Sequence, residues 1–314
     1  MAKYRNNLPQ LSEKLFLTDS GLETTLVFHD GIDLPHFAAF DLMTRTDGRA
    51  RLRDYFKRHI AIARQAGAGF IFESPTWRAS RDWAEKLGYS AAELADVNRA
   101  SIELLAGMRD EFETPHSPMV ISGNIGPRGD GYRPGAMMNV AEARDYHSEQ
   151  INVFRDTEAD MVAGFTLNYV EEAVGIALAA RDAAMPVALS FTLETDGKLP
   201  SGQSLADAIE RVDRDSGAYP VYYMINCAHP THFEDMLDEL GPAIRRVRGL
   251  RANASRRSHA ALDASTDLDA GDPEELGGEY RRLQRKLPAL AVVGGCCGTD
   301  HRHVAAIAQA ILAS

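Results

Sequence analysis

The sequence predicts an α/β fold and, within that class, a single (β/α)8 TIM barrel over residues 1–314. Short apolar runs alternate with longer amphipathic segments eight times without a break. Strands separated by helices pair in parallel, and eight such units close into a barrel. No Gly-x-Gly-x-x-Gly turn follows the first run, which disfavours an open doubly wound sheet.

The first strand is predicted at 15–21, ending in Thr18-Asp19-Ser20-Gly21, followed by a loop through His29 and Pro35. Leu52, Tyr55, Phe56, His59, Ile60 and Ala63 recur at helical spacing, so 51–66 reads as a helix that Gly67 stops. Strand 2 is 70–75, with Glu73 near its end, and a helix follows over 91–109. Strand 3 is 119–124, running into the turn Ile125-Gly126-Pro127-Arg128-Gly129, and 140–157 is helical. Strand 4 is 160–167 with a helix over 170–183, and strand 5 is 185–192 with a helix over 205–214. Strand 6 is 219–227, ending in Asn226-Cys227, before a short helix at 232–240. Strand 7 is 247–253. A polar loop spans 255–271, and a helix spans 273–287 with Pro273 in its first turn. Strand 8 is 290–297, ending in Gly294-Gly295-Cys296-Cys297-Gly298, and a helix over 303–312 completes the last unit.

Composition narrows the function classes. With 45% hydrophobic and 25% charged residues the chain is an ordinary globular protein. A formal net charge of −11 argues against non-specific binding to nucleic acid or anionic membrane. No apolar run reaches the roughly 18 residues of a membrane span. The first residues lack the apolar core of a signal peptide, so a cytoplasmic location is expected. Three cysteines are too few for a disulfide framework, so all three are expected as thiols.

Functional side chains of a barrel gather at the C-terminal strand ends. The sequence puts Asp19 and Glu23 after strand 1, Glu73 on strand 2, Asn124 on strand 3 and Thr166 on strand 4. Asn226 and Cys227 end strand 6, and Cys296 and Cys297 end strand 8. One strand separates those two ends, a gap of roughly 10 Å at about 4.8 Å per strand. Zinc–sulfur bonds of about 2.3 Å plus side-chain reach span it. The flanking glycines free the backbone for two neighbouring thiols to face one ion. Cys227 alone would read as a small buried apolar residue, and Asp19 alone as a turn cap. Adjacent thiols among three glycines, by contrast, pack poorly and oxidise easily. No histidines carry metal spacing, and His301 and His303 read as solvated residues at the start of the last helix. Three thiolates donate heavily to zinc and suit a fourth thiol better than a hydrolytic water. The ion lowers that thiol's pKa, making a soft nucleophile for an activated methyl group. A water, Asn226 or another nearby oxygen is a candidate for the fourth position at rest.

At these residues the chain resembles the homocysteine S-methyltransferase family, from Thr18-Asp19-Ser20-Gly21-Leu22-Glu23-Thr24 to Gly294-Gly295-Cys296-Cys297-Gly298-Thr299. The resemblance implies a zinc-dependent (β/α)8 barrel, an EC 2.1.1 methyltransferase. It maps the zinc ligands onto Cys227, Cys296 and Cys297, and the residue holding the substrate's amino group onto Asp19, with Glu23 in the same motif. The run Gly123-Asn124-Ile125-Gly126-Pro127 is similar to the family's pocket-forming loop. The family commonly has Glu-Thr at the end of strand 4, where this chain has Phe165-Thr166, so one expected ammonium partner is a ring. The implied reaction moves a methyl group to homocysteine or a related thiol, giving methionine. The expected substrate-binding set is Asp19, Glu23, Glu73, Asn124, Thr166 and Asn226. No folate or cobalamin module and no extended C-terminal arm is in evidence, so the expected donor is a sulfonium, S-methylmethionine or S-adenosylmethionine. Small molecules are the expected partners, with a homo-oligomer compatible. The alternatives are a zinc-water hydrolase or lyase built on Asp19 and Glu73, a barrel with another thiol acceptor, and a zinc-binding barrel without catalysis.

Overall fold

Eight parallel strands close into a barrel in sequence order in this computed structural model, which describes residues 1–313. They are β1 Phe16–Leu17, β2 Gly69–Glu73, β3 Met119–Ile125, β4 Met161–Leu167, β5 Val187–Thr192, β6 Tyr222–Asn226, β7 Val247–Ala252 and β8 Val292–Gly295. β1 pairs with β8 through Phe16–Val292 and Leu17–Val293, which completes the closure. The expected (β/α)8 architecture is therefore present, with strands at or inside their predicted limits, apart from one-residue extensions of β2 and β3.

Each strand has two faces with different partners. Phe70, Phe72, Leu189, Phe191, Tyr223 and Ile225 face the helices and belong to the large outer core. The alternate residues Phe16, Ile71, Val120, Met161, Ala163, Ala188, Tyr222, Met224 and Val292 fill the lumen with Leu8. Apolar residues on both faces are what a sheet covered by helices demands.

The helices follow local signals. Ser90 and Glu93 form a reciprocal capping box ahead of Ala91–Phe112, as do Asn139 and Glu142 ahead of Val140–Arg155. Leu205–Ser216 starts on Ser204 and stops at Gly217, whose φ of 73° is left-handed. Two expectations need correction. The predicted helix at 232–240 is a run of 3-10 turns, Glu234–Arg246, broken where Gly241 and Pro242 interrupt the hydrogen-bond ladder. The loop after β1 contains the short helix Leu22–Thr24 and a π turn over Thr25–His29, which no clear periodicity announced.

The N-terminal mouth of the barrel is closed. Asp160 pairs with Arg109 at 2.9 Å and accepts the backbone N–H groups of Tyr4 and Ile121 at 2.6 and 2.9 Å. The opposite mouth remains open to chemistry. Among the described residues no helix is long and apolar enough to cross a membrane.

Candidate metal and thiol centre

Toward their C-terminal ends the strands change character. The inward alternation continues from Ile71 to Glu73, from Ser122 to Asn124, from Ala163 to Phe165, from Met224 to Asn226 and from Gly249 to Arg251. Glu73, Asn124, Phe165, Asn226 and Arg251 line one cavity together with Asp19, Glu23, Thr166 and all three cysteines. Every predicted site residue thus reaches the same cavity. The structure adds Trp77, Tyr132 and Arg251, which the sequence reading did not name.

The sulfurs of Cys227, Cys296 and Cys297 lie within 4.8 Å of one another. Cys227 Sγ is 4.0 Å from Cys297 Sγ. Three ligands at about 2.3 Å around a tetrahedral ion have sulfurs roughly 3.8 Å apart, so this spacing fits a zinc. One expectation is corrected: Cys227 and Cys296 are joined in a disulfide, and Cys297 alone is a free thiol. Convergence of the β6 and β8 ends brings their Cα atoms to 5.4 Å, within disulfide range. The donor set therefore fits a metal once that bond is reduced, and disulfide and metal exclude one another. Burial pushes the Cys297 thiol above its usual range, with the Tyr132 hydroxyl 3.4 Å away opposing the shift.

The backbone that aims these sulfurs is fixed from several sides. Cys227 holds a φ of 52°, in the left-handed region that side chains with a Cβ avoid. Its carbonyl accepts from Asn253 Nδ2 at 3.1 Å and lies against His259 Nε2, while its N–H donates to Arg251 O at 3.1 Å. Cys296 N–H donates to Ala252 O at 2.9 Å, and Thr299 Oγ1 donates to Cys296 O at 2.7 Å. Gly294 and Gly295 are required by close approach: a Cβ on Gly294 would strike Thr18 and the Asp19 carbonyl, and one on Gly295 would strike Thr299. Gly298 follows at φ 79°, turning the chain into the last helix.

Asn226 is a structural hub. Its Oδ1 accepts from Ser190 Oγ at 2.6 Å and Thr166 N at 3.0 Å, and its Nδ2 donates to Thr166 Oγ1 at 2.9 Å. That oxygen is therefore committed, which removes Asn226 Oδ1 as a ready fourth ligand. Thr166 sits at φ 60° within the register shift between Gly164 and Leu167, so the irregularity turns Phe165 and Thr166 onto the cavity.

Arg251 is the charge at the centre. Its Nη2 is 2.8 Å from Asp19 Oδ1 and donates to Ser20 O at 3.0 Å, and its Nε donates to Gly295 O at 3.0 Å. Tyr55, from the helix Thr46–Gln65, donates to Asp19 Oδ2 at 3.1 Å. Burial raises the Asp19 carboxyl, with Arg251 pulling it back. Burial also pushes Glu73 up to about 8 and Glu23 up to about 7. His59, bonded to Ser20 Oγ at 2.9 Å, is driven down to about 3 by burial and stays neutral. His303, expected on the surface, is fully buried and caps the last helix reciprocally with Asp300. Neither it nor His301 joins the cysteine cluster.

A second cavity of about 400 Å³ adjoins the first, sharing Glu23, Thr24, Trp77, Tyr132 and Cys297. Its outer wall carries Asp130, Asp263, Asp267 and Asp269 beside Phe28 and Phe37.

The chain is similar to several known proteins. The family model for homocysteine S-methyltransferase matches residues 16–311. Homocysteine S-methyltransferase 1 of Arabidopsis thaliana is 23% identical over 93% of this chain and 92% of its own length. A selenocysteine Se-methyltransferase of Brassica oleracea var. italica is 23% identical over 93% of this chain and 87% of its own. In fold, the chain is similar to the oxidised form of the homocysteine methyltransferase MmuM from Escherichia coli. That match has a TM-score of 0.77 at 20% identity, covering 98% of this chain and 99% of that one. The same protein is also known in a metallated form, which matches with a TM-score of 0.72. With the family model covering the barrel from its first strand to its last helix, the chain belongs to the homocysteine S-methyltransferase family.

Proposed function

We propose that this methyltransferase moves a methyl group from a sulfonium donor, S-methylmethionine or S-adenosylmethionine, to the sulfur of homocysteine or a related thiol, giving methionine or the corresponding thioether. The observation that carries the reading is the convergence of three cysteine sulfurs within 4.8 Å at the open mouth of the barrel. Cys227, Cys296 and Cys297 would hold a zinc. When bound, zinc supplies the Lewis acidity that keeps the acceptor sulfur deprotonated at neutral pH.

The chain's own residues do the rest. The inner cavity, with Asp19, Glu23, Glu73, Asn124, Thr166 and Asn226 on its wall, holds the acceptor beside the sulfurs. The adjoining cavity sets Glu23 and four aspartates, beside aromatic rings, against the single arginine Arg78, and the excess of carboxylates suits a cationic donor. An acceptor sulfur in the inner cavity meets a donor methyl at the shared boundary near Cys297 and Tyr132. The lone pair of the acceptor sulfur forms the new carbon–sulfur bond. The old bond breaks with its electrons staying on the donor sulfur, and the thiol proton leaves to solvent. Alignment and exclusion of water supply much of the acceleration. Because metal binding needs the Cys227–Cys296 bond open, the reaction belongs in a reducing compartment, in keeping with a cytoplasmic location.

The test is zinc content and methyl transfer on protein purified under reducing conditions. Near one zinc per chain and methionine formed from homocysteine with either sulfonium is the expected result. Fully reduced protein that takes up no zinc and methylates no thiol would overturn it.

A further inference from the structure

Arg251 has no counterpart in the sequence-derived site, yet it is the cavity's central cation. Three of its contacts use Nε and Nη2, on Gly295 O, Ser20 O and Asp19. Nη1 has no hydrogen-bond partner among the described residues. The side chain is only 8% exposed, and the residue lines the cavity that the cysteines line. A guanidinium buried to this degree normally has its N–H groups satisfied, because an unmade bond there is costly. The open N–H groups of Nη1 offer a charge-assisted hydrogen bond to an anion in the cavity. Its location is set by Nε, held at 3.0 Å by the carbonyl immediately before Cys296.

The neighbouring groups favour the same conclusion. Asp19, expected to hold an ammonium, already has its charge paired by Arg251 at 2.8 Å. The second expected ammonium partner is the Phe165 ring, whose centre lies 5.1 Å from the guanidinium carbon. That ring offers an apolar wall to a hydrocarbon chain and a π face to the cation. Burial pushes Glu73 up to about 8 and Glu23 up to about 7, so neither carboxyl carries its full charge against Arg251 at pH 7.

We propose that Arg251 is a specificity-determining residue: its open Nη1 binds a carboxylate on the acceptor, so the protein selects short-chain thiols by their carboxylate and tolerates loss of the amino group. This rests on the thiol-methyltransferase reading, and the experiment separates the two. Metal-free, reduced protein is titrated calorimetrically with three thioether products of equal reach: methionine, γ-(methylthio)butyrate, which lacks the amino group, and γ-(methylthio)propylamine, which lacks the carboxylate. The two carboxylates should bind within roughly tenfold of one another, and the amine at least about 100-fold more weakly. Arg251→Lys keeps a positive charge beside Asp19 but loses the Nη1 donors. It should weaken both carboxylates about tenfold, leave the amine unchanged and retain the wild-type circular dichroism spectrum. The proposal is overturned if the amine binds as well as the carboxylates, if no probe binds, or if Arg251→Lys shifts all three equally. Zinc-loaded protein is assayed separately with homocysteine and γ-mercaptobutyrate. Failure of methyl transfer there, with the binding preference intact, would sink the thiol-methyltransferase reading and leave the Arg251 assignment standing.

Discussion

At the residue scale, chemistry is concentrated in side chains whose environment the barrel has altered. Cys297→Ser should cut zinc stoichiometry well below one per chain. It should lower methyl transfer by at least about 100-fold, since loss of a ligand exceeds the 10–100-fold typical of its supports. Metal analysis beside a product assay reads both. Glu73 gives a pH prediction. Its carboxyl is raised to about 8 in the folded protein from an ordinary 4.5, so the folded state keeps a proton that the unfolded chain releases. Stability is therefore lost as pH rises from about 4.5 to about 8. Glu73→Gln removes that dependence. Its denaturation midpoint should change less across this window than wild type, with a gain on the order of 4 kcal/mol at the upper end. A wild-type profile that stays flat from pH 5 to 8 would count against the burial argument.

At the element scale, the segment from β8 into the last helix does two jobs, aiming two sulfurs and starting a helix. Gly294→Ala would drive a methyl group into Thr18 and the Asp19 carbonyl, both backbone-anchored in β1's continuation. A cost of roughly 2–3 kcal/mol is expected, with weakened zinc binding, because the shift is transmitted to Cys296 and Cys297. Asp300 caps the helix His301–Leu312 by accepting from Arg302 N at 2.8 Å and pairing with buried His303. Asp300→Ala should cost about 1–2 kcal/mol in chemical denaturation. The contrast tests the division of labour: the cap variant should keep its metal, and the glycine variant should not.

At the scale of the whole molecule, the two mouths of the barrel are specialised. Asp160, 0% exposed, balances Arg109, 3% exposed, and holds the chain's N-terminal segment through Tyr4. Asp160→Ala leaves Arg109 with Glu158 as its remaining carboxylate partner and strands two backbone donors, so it should cost about 2–4 kcal/mol. At temperatures where the variant remains folded, its zinc content should match wild type, because this cluster is at the end of the barrel opposite the cysteines. Loss of metal in folded Asp160→Ala protein would show that the two ends are coupled.

Much of this was legible in the sequence, for reasons that differ by residue. The alternation of apolar runs and amphipathic segments reports strand and helix periods directly, so eight strands and the barrel followed from local pattern. Cys227, Cys296 and Cys297 were legible because strand ends meet at one rim whatever the details of packing. Arg251 was not legible: its strand also carries Arg248, and periodicity cannot say that Arg251 meets Asp19 from the far end of the sequence. Nor could it say that the last turn buries His303, that Cys227 takes a left-handed backbone, or that Cys227 and Cys296 come close enough to bond. Those depend on groups separated by up to 232 positions in Arg251–Asp19 and by 69 in Cys227–Cys296. Local residue preferences determined the barrel and the list of reactive groups. Closure of the sheet alone decided which of those groups touch, because charge pairing and sulfur contact act over a few ångströms in space and are blind to distance along the chain.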